Sequence, residues 1–418
     1  MHRLAELDHR HVWHPFTQMR DWLKAEPIVL VEGKGAVLRD AHGRTYLDAN
    51  SSIWTNLHGH NHSKINAAVQ NQLCKIAHSS ALGFANEPAA LLAEGLVKAA
   101  NAALRTTRRS PLATHPLTKV FFSDDGSTAM EVALKLAYEY ARRSGRSRRP
   151  RFLSLQGAYH GDTVGAVSLG HIDLFHNAYR GLLFKSDTVM APYCYRCPFN
   201  RARPERADAR QYRRCNWECI DKVEQRFAAQ RKKGNPYAAL IVEPLIQGAA
   251  GMIPQPQGWL NRVSQIARAD GAQLIADEVM TGFGRTGFSV ESTRNPRVST
   301  SLFACHQEQV QPDFLALAKG MTGGYLPMAA TLTTRSVFDA FLGDYAEFKT
   351  FFHGHSFSGN QLGAAAAVAS LEILSTPASS RARQKLEKTL RAELQTLWTL
   401  PNVGDIRQVG LIAGVELV

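Results

Sequence analysis

Lys119-Val-Phe-Phe-Ser123 runs into Asp124-Asp-Gly-Ser127 and then into helical spacing from Thr128 to Arg142. An apolar run too short for a helix, closed by turn residues and followed by an amphipathic stretch, reads as a buried strand, a turn and a helix. The unit recurs along the chain. Residues 152–155, 239–243, 273–277, 314–318 and 328–332 are further strand candidates separated by helical patterns. Apolar strands alternating with helices predict an α/β fold with a mainly parallel central sheet covered by helices.

The ends read differently. Residues 28–31 and 36–39 flank Glu32-Gly-Lys-Gly35 in a hairpin-like pattern outside the main sheet. From Gly359 onward an Ala-rich helix precedes a charged helical segment over residues 381–400. The expected division is a large domain at 61–335 and a small α+β domain built from 1–60 and 336–418. A basic loop at 141–151 and an Arg- and Cys-rich insertion at 192–220 interrupt the alternation. With 44% of its 418 residues hydrophobic, the chain is no disordered polymer. Its net charge of +13 favours anions without making it a nucleic-acid binder. Six cysteines argue against a disulfide scaffold. The first residues lack a signal peptide's apolar core, and no apolar run has the ~18 residues of a membrane span. A soluble cytoplasmic protein is the expectation.

Three constellations carry chemistry. Asp125-Gly126-Ser127 opens a helix after a strand, where unpaired N–H groups and the dipole suit a phosphate, although the same residues make an ordinary cap. Asp277 closes the apolar strand 273–277, where an acid is costly without a cation such as a protonated pyridine nitrogen. A buried Asp bonded to backbone amides is the plainer reading. Lys319 closes the apolar strand 314–318, where desolvation makes an amine nucleophilic. Snorkelling at a strand end is the commoner role of a lone lysine. Taken in order, a phosphate-ready turn, a strand-end acid and a strand-end lysine are what pyridoxal 5′-phosphate requires. Tyr159, in Gly157-Ala-Tyr-His-Gly-Asp-Thr163, follows a strand and offers a ring to stack on that cofactor.

At this point the sequence resembles the class III, fold-type I aminotransferases over nearly its whole length. Leu274-Ile-Ala-Asp-Glu-Val-Met-Thr-Gly-Phe-Gly-Arg-Thr-Gly287, followed by Lys319, carries the resemblance. His11-Val-Trp-His-Pro-Phe-Thr-Gln-Met19, Ser51-Ser-Ile-Trp-Thr-Asn-Leu-His-Gly-His60 and Phe351-Phe-His-Gly-His-Ser-Phe-Ser-Gly-Asn360 narrow it to the biotin-biosynthesis branch. The resemblance implies a large domain with a mainly parallel sheet, a small α+β domain and a cytoplasmic homodimer. It implies ping-pong transfer of an amino group to 8-amino-7-oxononanoate, giving 7,8-diaminononanoate. Lys319 becomes the Schiff-base lysine and Asp277 the partner of the ring nitrogen. Gly126 and Ser127 become phosphate ligands, and Tyr159 stacks on the ring and touches substrate. His355 and Ser356 reach the phosphate of the neighbouring subunit. Phe16 and Trp54 wall the substrate site, Arg285 contacts substrate, and Gly354 lies against it.

Departures from the family pattern set further expectations. Phe16 stands where many members carry Tyr, and members with this form include some that take their amino group from lysine instead of S-adenosylmethionine. Both donors stay open. Ile53 replaces one of two adjacent tryptophans. Members continue beyond the segment like residues 409–417 with an Arg for the keto substrate's carboxylate, so this chain reads as truncated and weak in that contact. Another ω-amino-acid aminotransferase is the alternative function. A regulatory protein on the same fold is a distant one, for which the Arg-rich stretches would bind nucleic acid; solvated loops are preferred. Cys194-x₂-Cys197 and Cys215-x₃-Cys219 have near-zinc-ribbon spacing. Free cysteines in a variable excursion are favoured and no residue is assigned to a metal. The histidines at 11, 14, 58, 60, 353 and 355 are read as hydrogen-bonding groups.

Overall fold

A computed structural model describes residues 1–102, 115–287 and 302–418. The N-terminal strands β1 (Leu30–Lys34), β2 (Val37–Asp40) and β3 (Thr45–Leu47) form an antiparallel sheet of their own. The first turn differs from expectation. Lys34 pairs with Val37, so the turn is the two residues Gly35-Ala36. Gly35 adopts φ +57°, the left-handed conformation that a two-residue hairpin needs, and the strand runs on through Glu32-Gly-Lys34.

The core sheet is built from β4 (Leu117–Ser123), β5 (Arg151–Leu155), β6 (Asp187–Val189) and β7 (Tyr237–Val242). After a short antiparallel pair, β8 (Ile246–Gln247) and β9 (Ile253–Pro254), the chain adds β10 (Gln273–Asp277), β11 (Phe314–Leu317) and β12 (Ala329–Thr334). The seven strands lie in the order β4-β12-β11-β10-β7-β5-β6. β12 is antiparallel to both its neighbours; every other pairing is parallel. All residues of β7, β11 and β12 are buried, as strands covered on both faces must be.

Alternation along the strands splits the core into two layers. Ile241, Ile275 and Phe314 pack on the face covered by helix Gly126–Arg143, through Ala129, Met130, Val132, Ala133 and Leu136. Leu240, Leu274 and Leu315 face helices Glu218–Lys232 and Trp259–Ala269, through Val223, Phe227, Trp259 and Val263. β4, β5, β7, β10 and β11 all point the same way, so their C-terminal ends share one edge, where open α/β sheets bind ligands.

The C-terminal part supplies helices Gln361–Leu374 and Pro377–Thr396 and the hairpin β13 (Val403–Val409) and β14 (Ile412–Leu417). No single helix among the described residues is long and apolar enough to cross a membrane. The basic stretches are solvated in part and pinned to the body at several arginines. Arg143 donates to the carbonyls of Ala340 and Lys349 at 3.0 and 2.7 Å, and Arg146 to that of Tyr237 at 2.9 Å. In the insertion, Arg196 bonds Glu416 at 2.8 Å, Arg206 the Leu400 carbonyl at 2.8 Å, and Arg210 the Gln408 carbonyl at 3.0 Å. A guanidinium holds several donors in a fixed fork, so one side chain can staple a loop to distant backbone.

Candidate active site

The shared strand edge opens into a cavity of about 670 Å³. β4 delivers Asp124 to Ser127, β5 delivers Tyr159 to Gly161, and β7 delivers Glu243. β10 ends on Asp277, and Ala318 and Lys319 follow β11. All of these line the cavity, together with Phe16 and Trp54.

Helix Gly126–Arg143 aims its N-terminus at this space. Asp125 and Thr128 cap it reciprocally, Thr128 N–H donating to Asp125 Oδ1 at 2.9 Å. The capping reading of Asp125 is therefore real, and it leaves the first-turn N–H groups of Gly126 and Ser127 without intrahelical partners. A side chain at 126 would meet Val279 at 2.6 Å, and one at Gly161 would meet Ser127 Oγ at 2.0 Å. Ser127 Oγ accepts from the Asp162 N–H at 3.1 Å. Two loops thus close around a concave array of backbone and hydroxyl donors, which fits a phosphate.

Asp277 is buried. His160 Nδ1 lies 2.7 Å from its Oδ2, and the Val279 N–H donates to its Oδ1 at 3.0 Å. Burial alone would discharge His160, but the hydrogen bond and charge of Asp277 outweigh it and raise the imidazole pKa. Glu243 accepts the N–H groups of Tyr159 and Gly248, and burial pushes its carboxyl up to about 7. Burial also lowers the Lys319 ammonium, an effect that Asp277 and Glu243 oppose and Arg285 reinforces. Lys319 Nζ stands 4.6 Å from the centre of the Trp54 ring. Lys319 has φ +40°, a left-handed conformation that a lysine adopts only when its surroundings force it. Residues Ser51, Ser52, Ile53 and Trp54 all have positive φ, held by Asp48 and Asn50, and this strained turn brings Trp54 into the wall.

The fit to pyridoxal phosphate rests on this chain's own groups. A donor-rich cradle, a buried carboxylate and a desolvated lysine face one space, and Tyr159 lines it with its hydroxyl donated to Asp162 at 2.8 Å. Four sequence candidates stand outside the lining. Arg285 is buried, with its pKa lowered by burial to about 10, and its Nη2 donates to the Trp54 carbonyl at 2.6 Å. His355 Nδ1 approaches Asp124 Oδ2 at 2.9 Å, without hydrogen-bond angles. The Ser356 carbonyl accepts from His78 at 2.9 Å, and Gly354 is exposed. Sequence reasoning passed over His160, Glu243 and Phe175. His160 and Glu243 sat inside quoted motifs. Phe175, which meets Phe16 edge-on at 5.3 Å, lies in a four-residue helix with no motif around it.

His160 yields a pH prediction. Its raised pKa means that its stabilising charge is fully present below about pH 6.5 and is lost as pH rises through the folded-state value. His160→Gln should cost about 1.5–3 kcal/mol below pH 6.5 and progressively less at alkaline pH. Thermal melts of both proteins at equal cofactor loading, from pH 6 to 9, check this; parallel melting curves would refute it.

The family model for Aminotransferase class-III matches residues 19–418. The chain is 46% identical to the adenosylmethionine-8-amino-7-oxononanoate aminotransferase of Geobacter sulfurreducens, over 99% of this chain and 83% of the relative. The crystal structure of the protein of that name from Methanocaldococcus jannaschii superposes with a TM-score of 0.83 at 38% identity, covering 99% of this chain and 84% of that one. An omega transaminase from Pseudomonas jessenii, solved in complex with PMP, gives 0.83 at 27% identity over 100% and 84%.

Proposed function

The chain belongs to the class-III aminotransferases, and on that premise we propose that it aminates 8-amino-7-oxononanoate to 7,8-diaminononanoate in biotin biosynthesis, with S-adenosylmethionine as donor. The enzyme is a pyridoxal-phosphate-dependent transaminase. One observation carries the proposal: Lys319, Asp277 and the N-terminus of helix Gly126–Arg143 face a single cavity whose outer wall includes Phe16 and Trp54. The relatives' shared name supplies the substrate class.

When bound, pyridoxal phosphate supplies the electron sink that lets a proton leave the amine-bearing carbon. Gly126 and Ser127 would hold its phosphate, and Asp277 would partner its ring nitrogen. Tyr159 would cover the ring and border the substrate. Lys319 Nζ, kept from full charge by burial, takes the proton from the donor's amine-bearing carbon. Phe16 and Trp54 exclude water; Arg285, which donates to the Trp54 carbonyl behind that wall, would need to swing out to contact the substrate, and Gly354 would lie beside it only from a neighbouring subunit. His355 and Ser356 complete the phosphate site of the neighbouring subunit, so the working unit is a homodimer. We read it as cytoplasmic, with neither nucleic acid nor membrane as partner.

The donor is tested by mixing the cofactor-loaded enzyme with one amine at a time and following the cofactor's visible band. S-adenosylmethionine should bleach it. Bleaching by lysine alone would move the assignment to the lysine-using reading, which the Phe16 form leaves open. Bleaching only by ornithine, GABA or a β-amino acid would replace the substrate class.

A further inference from the structure

Residues 192–220 pose a problem of physical chemistry. Their regular structure is two short turns, Cys194–Arg196 and Ala209–Tyr212, before helix Glu218–Lys232 begins. Few of their side chains are buried, yet the segment is folded. The loop between the two cysteine pairs doubles back on itself. Arg201 N–H donates to the Arg214 carbonyl at 3.0 Å, Arg214 N–H to Asn200 Oδ1 at 2.9 Å, and Asn200 Nδ2 to the Cys194 carbonyl at 3.0 Å.

That fold brings all four cysteines to one place. Cys194, Cys197, Cys215 and Cys219 line a single void of about 20 Å³, with Cys194 and Cys219 buried and the other two partly covered. Such a void holds one water-sized occupant. The four sulfurs are free thiols and form no disulfide. Two short cysteine pairs meeting from separate turns are the usual supply of a structural zinc ion. The second pair encloses Trp217, whose φ of +65° turns the chain so that Cys219 enters the helix facing inward.

The surrounding charge matches. Four thiolates around a divalent ion leave two negative charges. The Arg213 guanidinium donates to Cys215 Sγ at 3.0 Å and lies 3.8 Å from the centre of the Trp217 ring; that of Arg262 lies 4.1 Å from the same ring. Glu218 also lines the void, and its carboxylate accepts the Asn216 N–H at 3.1 Å. Among the described residues no three metal-binding groups already stand at coordination spacing, so metal entry has to draw the two pairs together.

We propose that Cys194, Cys197, Cys215 and Cys219 form a structural zinc site that fastens the insertion onto the C-terminal hairpin. Zinc displaces the thiol protons to solvent and oxidises nothing. The fastening acts through Arg196 and Arg210, which reach β13–β14 from the insertion. The site lies apart from the cofactor cavity and does not depend on how that cavity is read.

The test uses the untagged, full-length protein purified from zinc-supplemented culture. Elemental analysis should find about one zinc per chain, and X-ray absorption should find about four sulfur neighbours near 2.3 Å. Zinc should fall to below about 0.2 per chain in Cys194→Ser/Cys219→Ser, and also in Cys215→Ser, whose partly exposed position spares the core. Cobalt(II) added to the reduced, metal-free protein should give the intense visible bands of a tetrahedral thiolate site. Wild-type protein with less than about 0.1 zinc and no such cobalt bands overturns the proposal. So do two disulfides linking the four cysteines, or iron with sulfide in place of zinc.

Discussion

Lys319→Ala should lower turnover of 8-amino-7-oxononanoate by more than about 10⁴-fold, since one substitution removes both the nucleophilic amine and the proton carrier. The visible band that the lysine gives the bound cofactor should vanish as well. The reason lies in the backbone. β11 is buried throughout, and the chain leaves it through Ala318 into a left-handed Lys319. Among the described residues that line the cavity, no other is a lysine. The substitution should not unfold the protein, because a buried ammonium costs more than a buried methyl group. Lys319→Gly should melt no lower than Lys319→Ala, since glycine accepts φ +40° without strain. Absorbance spectra, single-turnover rates and melting temperatures of the two variants check all three expectations. An alanine variant that keeps the visible band would show that another amine holds the cofactor.

The acid and the lysine that share this cavity were legible because they break rules that the rest of the chain obeys. A buried parallel strand is apolar end to end, so an acid closing 273–277 and a lysine following 314–317 stand out by position alone. The direction of a strand leaves no such mark. β12 reads like its neighbours and runs the opposite way, because burial on both faces demands apolar residues whatever the polarity. Pairing across long separations was equally hidden. His160 and Asp277 are 117 residues apart, and neither spacing nor composition joins them. Arg206 and Arg210 of the insertion looked solvated because they find backbone carbonyls near the C-terminus, and every residue carries a carbonyl. The hairpin register failed by a narrower margin: Gly33 and Gly35 both suggested a turn, and only Gly35 takes a positive φ.

Asp277→Asn should leave the shape of the site intact and remove its charge. The amide oxygen still accepts the Val279 N–H, so the backbone after β10 has no reason to move. Two neighbours respond. His160 loses the partner that raises its pKa and relaxes toward the neutral form that burial favours. Lys319 loses a carboxylate that opposes its desolvation, so its pKa falls further. The ring nitrogen then faces no anion, and the electron sink weakens. The expected result is a fall in kcat of about 10²–10³-fold, the usual cost of removing a preorganised charge from a closed site, with a smaller change in KM. The acid limb of the kcat profile should move to lower pH, because a lysine with a lower pKa is a competent base in more acidic solution. Cofactor retention on dialysis should drop, and the cofactor-free protein should lose, below about pH 6.5, the stability that the His160–Asp277 pair supplies. Steady-state kinetics across pH 5.5–9 separate these effects. A variant within about threefold of wild type in kcat, with an unmoved acid limb, would mean that shape alone holds the ring and that the buried charge plays no part in the chemistry.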